Sequence, residues 1–476
     1  MKNRKRFCYI VLLLALVTLV FAACPGRGNE ARARRAAGMD VWPGPAPVDL
    51  GGMVFRIADF HGDRFFPSEA EIGTAIGDAK LAVMESIEAD FNVRFEIITV
   101  PPGELIFRLH PAIWAGDLFA HMVITTQWAF GSIIGAGLMG DLSAIPTLDL
   151  DSGLWTQSVH RAATINDRVL ATAGIFEHWE NTWVIYFQKA LWNELNLPDP
   201  YELVRSGEWT WDRLLEFAII AQQDLTGDGV VDSPMDRWGI VSNRDDFLRA
   251  WFASKGGLYF DVDPVTGRLF SPAATPDGIA KANWMRNFTQ IPGVYYNVHG
   301  MSSALLNEMF VNRRALFTAY ALSVPMELRE MSDDFGILPM PKRNAQQATY
   351  LNSVNHNAPL IGITITNNQL EETGIIMEAL AARFERVRQL QRVELENILL
   401  RSQEDVEMLD YIIPYTVFDI GHILFFASEA GFGFTVPHAR LTDYVLMHSI
   451  GDFASEMEAH RESMEITVNE VFFGGF

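Results

Sequence analysis

The stretch "WVIYFQKALWNELNLPDPYELVRSGEWTWDRLLEFA", residues 183–218, passes from one kind of periodicity to another along its length. Its opening "WVIYF" is a run of aromatic and β-branched residues, which predicts a strand buried on both faces. In "EWTWDRLLEFAII", Thr210 can cap a helix, and Trp211, Leu214, Leu215, Ala218 and Ile219 recur at i, i+3, i+4, i+7 and i+8, predicting one apolar face against a core. Upstream the alternation continues. "GGMVFRIADF" reads as a strand, "IGDAKLAVMESIEADFNV" as a helix, "RFEIITVP" as a strand, and a further helix precedes the apolar strand "HMVITT". Strand and helix in turn predict an α/β lobe with a largely parallel sheet. Downstream, "ALFTAYA", "FGILPMPK" and "LIGITIT" repeat the theme less regularly, and from Met377 onward the pattern is mostly helical. No internal repeat is visible.

The chain of 476 residues, 49% hydrophobic and 20% charged, is longer than one core usually supports, so two or more packed units are expected. A formal net charge of -22 makes nucleic acid and anionic lipid poor partners for the body. The first residues, "MKNRKR", form a positive region before the apolar run "FCYIVLLLALVTLVFAA", which predicts an export signal over residues 1–23; a run of this length is also at the lower limit for a retained membrane anchor. Cys8 lies in that run and Cys24 follows it, so no pair is left to staple the exported domain. "FAAC" resembles the lipobox of bacterial lipoproteins, with Phe21 where that motif usually has Leu; acylation of Cys24 and an ordinary signal peptide both remain open. Residues 24–50, rich in Pro, Gly, Ala and Arg, read as a flexible tether.

"DLTGDGVVD", residues 224–232, has the spacing of a calcium loop: Asp224, Thr226 and Asp228 at positions 1, 3 and 5, the Val230 carbonyl at 7 and Asp232 at 9. Position 12, where an EF-hand has a bidentate Glu, is Met235. That predicts a weak structural calcium site, a staple and not a sensor, with a metal-free Asp/Gly turn as the alternative. "GAGLMG", residues 135–140, satisfies a dinucleotide fingerprint, but "DLSAIPTLDLD" follows with no helical period, so a close backbone approach is the better reading and no organic cofactor is expected. The histidines include no HExxH pair, and no GxSxG elbow or P-loop is present. Paired carboxylates for glycan hydrolysis stay open, since no spacing singles out a pair. Trp128, Trp179 and Trp183 fall at strand ends or irregular stretches, and aromatic faces beside carboxylates are suited to sugars.

Residues 183–218, together with "DLTGDGVVDSPMDRWGI", "FVNRRALFTAYA", "DDFGILPMPKRN" and "MLDYIIPYTVFDIG", resemble the bacterial extracellular solute-binding proteins of family 1. The resemblance covers roughly residues 52–476. It implies a two-lobed, type 2 periplasmic-binding-protein fold, with hinge crossings near Ala173–Trp183 and Phe335–Pro341. Lobe 1 would hold residues 51–172 plus 335–385, and lobe 2 residues 173–334 plus 386–476. It also implies a non-catalytic, monomeric receptor, lipid-anchored at the outer face of the cell membrane, that hands a carbohydrate to the permease of an ABC importer. Carried over residue by residue, the ligand contacts would be Asp59, Gln127, Trp128, Glu180, Trp183 and Tyr320. A surface-anchored glycan-degrading enzyme and a ligand-sensing partner of a membrane kinase are the alternatives.

Overall fold

The structure, a computed structural model, describes residues 43–476 except 177–178, 243, 264, 298–302, 324–327, 329, 428–436 and 474–476. The signal segment, Cys24 and the tether up to residue 42 lie outside the described residues.

Two sheets organise the chain. The first is built from β1 (Met53–Asp59), α1 (Ala75–Phe91), β2 (Val93–Thr99), α2 (Pro102–Trp114), β3 (Met122–Thr126) and α3 (Gln127–Gly135). The second contains β4 (Trp183–Gln188), followed by α4 (Trp211–Ala221), β5 (Trp238–Ser242), β6 (Tyr295–Asn297), β7 (Ala315–Ala321) and β8 (Phe335–Leu338). The chain then returns with β9 (Pro359–Gly362), α5 (Leu370–Arg383) and α6 (Glu385–Glu394), and ends in helices that include α7 (Gln403–Ile412) and α8 (Ile420–Ala427). The first sheet has the order β9-β3-β1-β2 and the second β6-β5-β7-β4-β8.

β1 runs parallel to both β2 and β3, and β9 is antiparallel to β3. Thr74 caps α1 by accepting from the Gly77 N–H, and Asn92 ends it in the left-handed region at φ 48. Phe55, Ile57, Met122 and Ile124 from the strands meet Val83, Met84 and Ile87 from α1 in one apolar cluster. Arg383 of α5, buried, is tied to α1 through Asp90 at 2.7 Å and Ser86 at 2.9 Å.

The return to the first lobe comes later than the sequence suggested. β8 pairs antiparallel with β4, Ile337 opposite Tyr186, so residues 335–338 belong to the second sheet and the crossing follows Leu338. The reason is tertiary packing: "FGIL" is fully buried, and its edge is closed by α7, whose Asp405 accepts from the Ile337 N–H at 3.0 Å. Likewise α6 packs on α1, which places residues 385–394 with the first lobe. In α4, Thr210 is the cap, as expected, but the buried face is Trp211, Leu214, Phe217, Ala218 and Ala221, while Ile219 is 43% exposed. The "GAGLMG" segment follows α3, and Gly140 is a close approach: a Cβ there would lie 2.9 Å from Ile363 and 3.1 Å from the Thr364 carbonyl.

α8 spans the two halves. Its start is held by Asp419, which accepts from the Tyr259 N–H at 2.7 Å, and its middle lies on α3, where a Cβ on Gly131 would be 1.9 Å from the Ile423 carbonyl oxygen. No helix among the described residues is long and apolar enough to cross a membrane.

Candidate functional site

Two crossings between the lobes lie side by side. Thr182 and Val354 form an antiparallel bridge, and Asn355 N–H donates to the Asn181 carbonyl at 2.8 Å. The same short segment binds the end of β7: Leu322 N–H donates to the Thr182 carbonyl at 2.8 Å and Ser323 N–H to the Glu180 carbonyl at 3.2 Å. The end of β3 joins from the other side, with Gln127 N–H donating to Ala358 and Trp128 N–H to His356. Residues 179–183 are therefore the seam at which the carboxyl end of the first sheet, the second sheet and both crossings converge. In open α/β sheets that edge is where ligands bind.

A pocket of ≈ 290 Å³ opens against this seam, lined among others by His61, Arg64, Lys80, Phe176, Trp179 and Glu180. Its polar groups divide into two kinds. Lys80 is fully engaged, with Nζ 2.7 Å from Glu71 Oε1 and 3.2 Å from the Asp63 carbonyl. Burial alone would push the Glu71 carboxyl up, but the Lys80 and Ser68 hydrogen bonds outweigh it and hold it below its ordinary value. Arg64 and Asp59 are less satisfied: Nε and Oδ1 lie 3.4 Å apart, and neither atom has a hydrogen-bond partner among the described residues. The guanidinium is held between two rings, 4.5 Å from the Phe60 centroid and 5.4 Å from that of Phe176. Burial pushes the Asp59 carboxyl up, against the pull of Arg64 and the Gly62 and His61 N–H groups. Glu180 is open to water yet walled by protein, and this desolvation raises its carboxyl against Arg64, His61 and Lys80. The arrangement offers a guanidinium donor, a carboxylate acceptor and the edge of an indole in one concavity, which is what a polyhydroxylated ligand requires.

The six expected ligand residues fall into three places. Glu180 lines the pocket, whereas Asp59 does not: it is 1% exposed and stands behind Arg64, positioning it. Gln127 is fully buried, its Nε2 donating to the Asn355 carbonyl at 3.0 Å, so it fastens α3 to the second crossing. Trp128, one residue on, is partly exposed. Trp183 and Tyr320 are neighbours across β4 and β7, ring centroids 6.1 Å apart, with Tyr320 the more open of the two. Sequence reasoning missed Arg64 and Lys80. The signal for Arg64 was present in "ADFHGDRF", a charged loop directly after a strand, whereas Lys80 sits within a helix whose pattern gives no hint of it.

The calcium-like loop is arranged around a different residue. Asp236 is fully buried and accepts four backbone N–H groups, from Leu225 at 3.0 Å, Thr226 at 3.1 Å, Asp232 at 3.3 Å and Ser233 at 3.1 Å. Asp224 accepts from Gly227 and Gly229, and Asp228 from Val230. Among the described residues no group of three or more His, Cys, Asp or Glu side chains is gathered that could hold a metal ion.

No family model and no curated protein matches the chain. Solved structures do. M. tuberculosis UspC is similar over 87% of this chain and 100% of its own, with 10% identity and a TM-score of 0.57. The cyclic alpha-maltosyl-1,6-maltose binding protein from Arthrobacter globiformis covers 89% and 100%, with 13% identity and a TM-score of 0.55. UgpB from Mycobacterium tuberculosis, in complex with glycerophosphocholine, covers 88% and 99%, with 14% identity and a TM-score of 0.54. The likeness is one of fold, and this chain has the two-lobed periplasmic-binding-protein fold.

Proposed function

We propose that the chain is the substrate-binding receptor of an ABC importer, a member of the extracellular solute-binding proteins of family 1, and that it captures an oligosaccharide or sugar derivative between its lobes. One observation carries the reading: two hydrogen-bonded crossings, Thr182 against Val354, join two sheets beside a pocket that presents Arg64, Glu180 and Trp179. A pair of short crossings is the geometry of hinge closure, in which a few residues absorb the motion and the ligand is enclosed. The Arthrobacter relative in fold binds a cyclic maltosyl sugar and the mycobacterial one a glycerophosphodiester, which supports a polyhydroxylated ligand. The role is binding and not turnover. Export, acylation of Cys24 and delivery to permease subunits at the outer face of the membrane complete the proposal, supported by the N-terminal "FAAC" and the apolar run before it. Calcium in the 224–232 loop is a further part of it, supported by spacing alone.

The test is a thermal-shift screen of the protein against mono- and oligosaccharides and glycerophosphodiesters. A ligand at one hundred times its Kd adds about 2.7 kcal/mol. A shift with one class, abolished in Glu180→Gln at an unchanged ligand-free melting temperature, supports the receptor. Silence across the panel refutes the sugar reading, and shortened glycan in the incubated sample would hand the function to a hydrolase.

A further inference from the structure

Helix α2 leaves one face uncovered in a way that packing does not explain. Gly103, Phe107, His110 and Trp114 recur at i, i+4, i+7 and i+11, which puts them in one narrow sector of the helix. Phe107 is 76% exposed and Trp114 80% exposed. The His110 ring is stacked on that of Trp114, centroids 5.1 Å apart and planes 26° apart. The apolar residues the core needs, Leu105 and Leu109, lie on the opposite side and are buried, so two large rings are left in water without a structural duty.

The stripe is not isolated. A Cβ on Gly103 would stand 3.5 Å from Cη2 of Trp128, so the indole of Trp128 lies over the first position of the same face. Trp128 is bonded through its backbone to His356 of the second crossing. The aromatic surface therefore starts at the seam between the lobes and runs outward along α2, with Phe107 and Trp114 about 10 Å apart along the axis. Glu104 and Arg108, both exposed, lie along one side of it, and Ile106 and Ile113, half-buried and packed on the core, along the other.

We propose that Phe107, His110 and Trp114 form an outer binding track for a carbohydrate chain that leaves the interlobe site past Trp128, so that the ligand is a linear oligosaccharide longer than the pocket. This rests on the receptor reading above and narrows its substrate class. The occupant follows from the shape and chemistry of the track. A strip one ring wide, bounded by charges on one side and by side chains packed on the core on the other, fits a single extended chain, whereas a protein partner needs a broad patch with an apolar centre. Exposed ring faces beside an imidazole, a carboxylate and a guanidinium match the C–H faces and hydroxyls of a sugar chain. Continuity with Trp128 supplies the direction.

The experiment is calorimetric titration of the intact protein with two ladders, maltose to maltoheptaose and cellobiose to cellohexaose, repeated on Phe107→Ala and Trp114→Ala. Both side chains are exposed, so both variants are expected to melt with the wild type. The expected result is wild-type affinity that rises with chain length in one ladder, and a loss of about threefold to tenfold in each variant for the longest members, with the shortest unaffected. Variants that bind every length as the wild type does overturn the track and assign the rings to a protein-facing surface. Wild-type binding that gains nothing beyond the disaccharide overturns the track while leaving the receptor intact. No binding to either ladder, with a glycerophosphodiester bound instead, overturns both the track and the sugar reading beneath it.

Discussion

Gly131 is where a single methyl group should report on the contact between the halves of the molecule. It lies in α3, and its missing side chain is replaced by backbone of α8: a Cβ would stand 1.9 Å from the Ile423 carbonyl oxygen, 2.9 Å from its carbon and 3.4 Å from Leu424 Cα. Such atoms essentially never approach within 3.0 Å, so Gly131→Ala must separate the helices by at least 3.0 − 1.9 = 1.1 Å. Since the obstacle is backbone, no rotamer change relieves it. The separation opens an apolar cluster that runs from Phe130 and Ile133 through Ile423 and Leu424 to Phe252 and Tyr259. Overpacking of well-packed cores costs about 1–3 kcal/mol, and rigid walls on both sides put this site at the upper end, about 3 kcal/mol. Ala has the better helix propensity by about 1 kcal/mol, leaving a net loss of about 2 kcal/mol. Urea denaturation followed by tryptophan fluorescence measures it. Gly153→Ala is the control, because nothing lies within 4 Å of its absent Cβ, and it should stay within about 0.5 kcal/mol of the parent. If Gly131→Ala is as stable as that control, the helices have room to slide and α8 is not a rigid tie between the lobes.

Other perturbations follow from the same packing. Asp405 is 1% exposed and holds Lys189 at 3.0 Å, the Tyr201 hydroxyl at 2.7 Å and the Ile337 N–H at 3.0 Å, so Asp405→Ala leaves the buried hydroxyl and N–H without their acceptor and the half-buried Lys189 without its partner, and should lower stability by about 3 kcal/mol; a loss below about 1 kcal/mol in urea would show that β8 does not depend on it. Burial pushes the Asp419 carboxyl up to about 7 from 3.8, and pushes the Lys255 ammonium down to about 7 from 10.5. A raised carboxyl favours the folded state at acid pH, and that contribution is lost as pH rises from about 4 to about 7. A lowered ammonium costs stability below about 7, and the cost disappears as pH rises towards 10.5. Melting curves against pH should therefore show the first limb flattened in Asp419→Asn and the second in Lys255→Met, and unchanged limbs would mean that neither group titrates there. In the 224–236 loop, Asp236→Asn should lower the melting temperature with or without calcium, and Asp228→Asn only in calcium; a wild type that melts identically in calcium and in chelator removes the metal from the loop.

The alternation of strand and helix was legible because the strands are dense in β-branched and aromatic residues and the helices carry their own caps, whereas the two-lobed arrangement came only from the resemblance. Thr210 announces a helix start and accepts the expected backbone N–H, and Thr74 plays the same part at α1. The position of the second crossing was not legible. "FGILPMPK" looks the same whether it ends a lobe or joins one, and its place was decided by Asp405, a partner 68 residues away from Ile337. The rotation of α4 was hidden for a related reason: Leu215 and Ile219 satisfy the period as well as Phe217 and Ala221 do, and only the sheet beneath selects between faces. At the site, the resemblance pointed to Asp59 and Glu180, but whether a carboxylate faces a ligand or a neighbouring guanidinium depends on Arg64, which a one-dimensional reading had no means to pair with either. Gln127 and Trp128 make the point most sharply. They are consecutive at the start of α3, yet one is locked to Asn355 and fully buried while the other lies over Gly103 at the head of an exposed aromatic face. A single step along a helix start separates a residue that fixes the hinge from one that can meet a ligand, and no pattern in the chain alone draws that distinction.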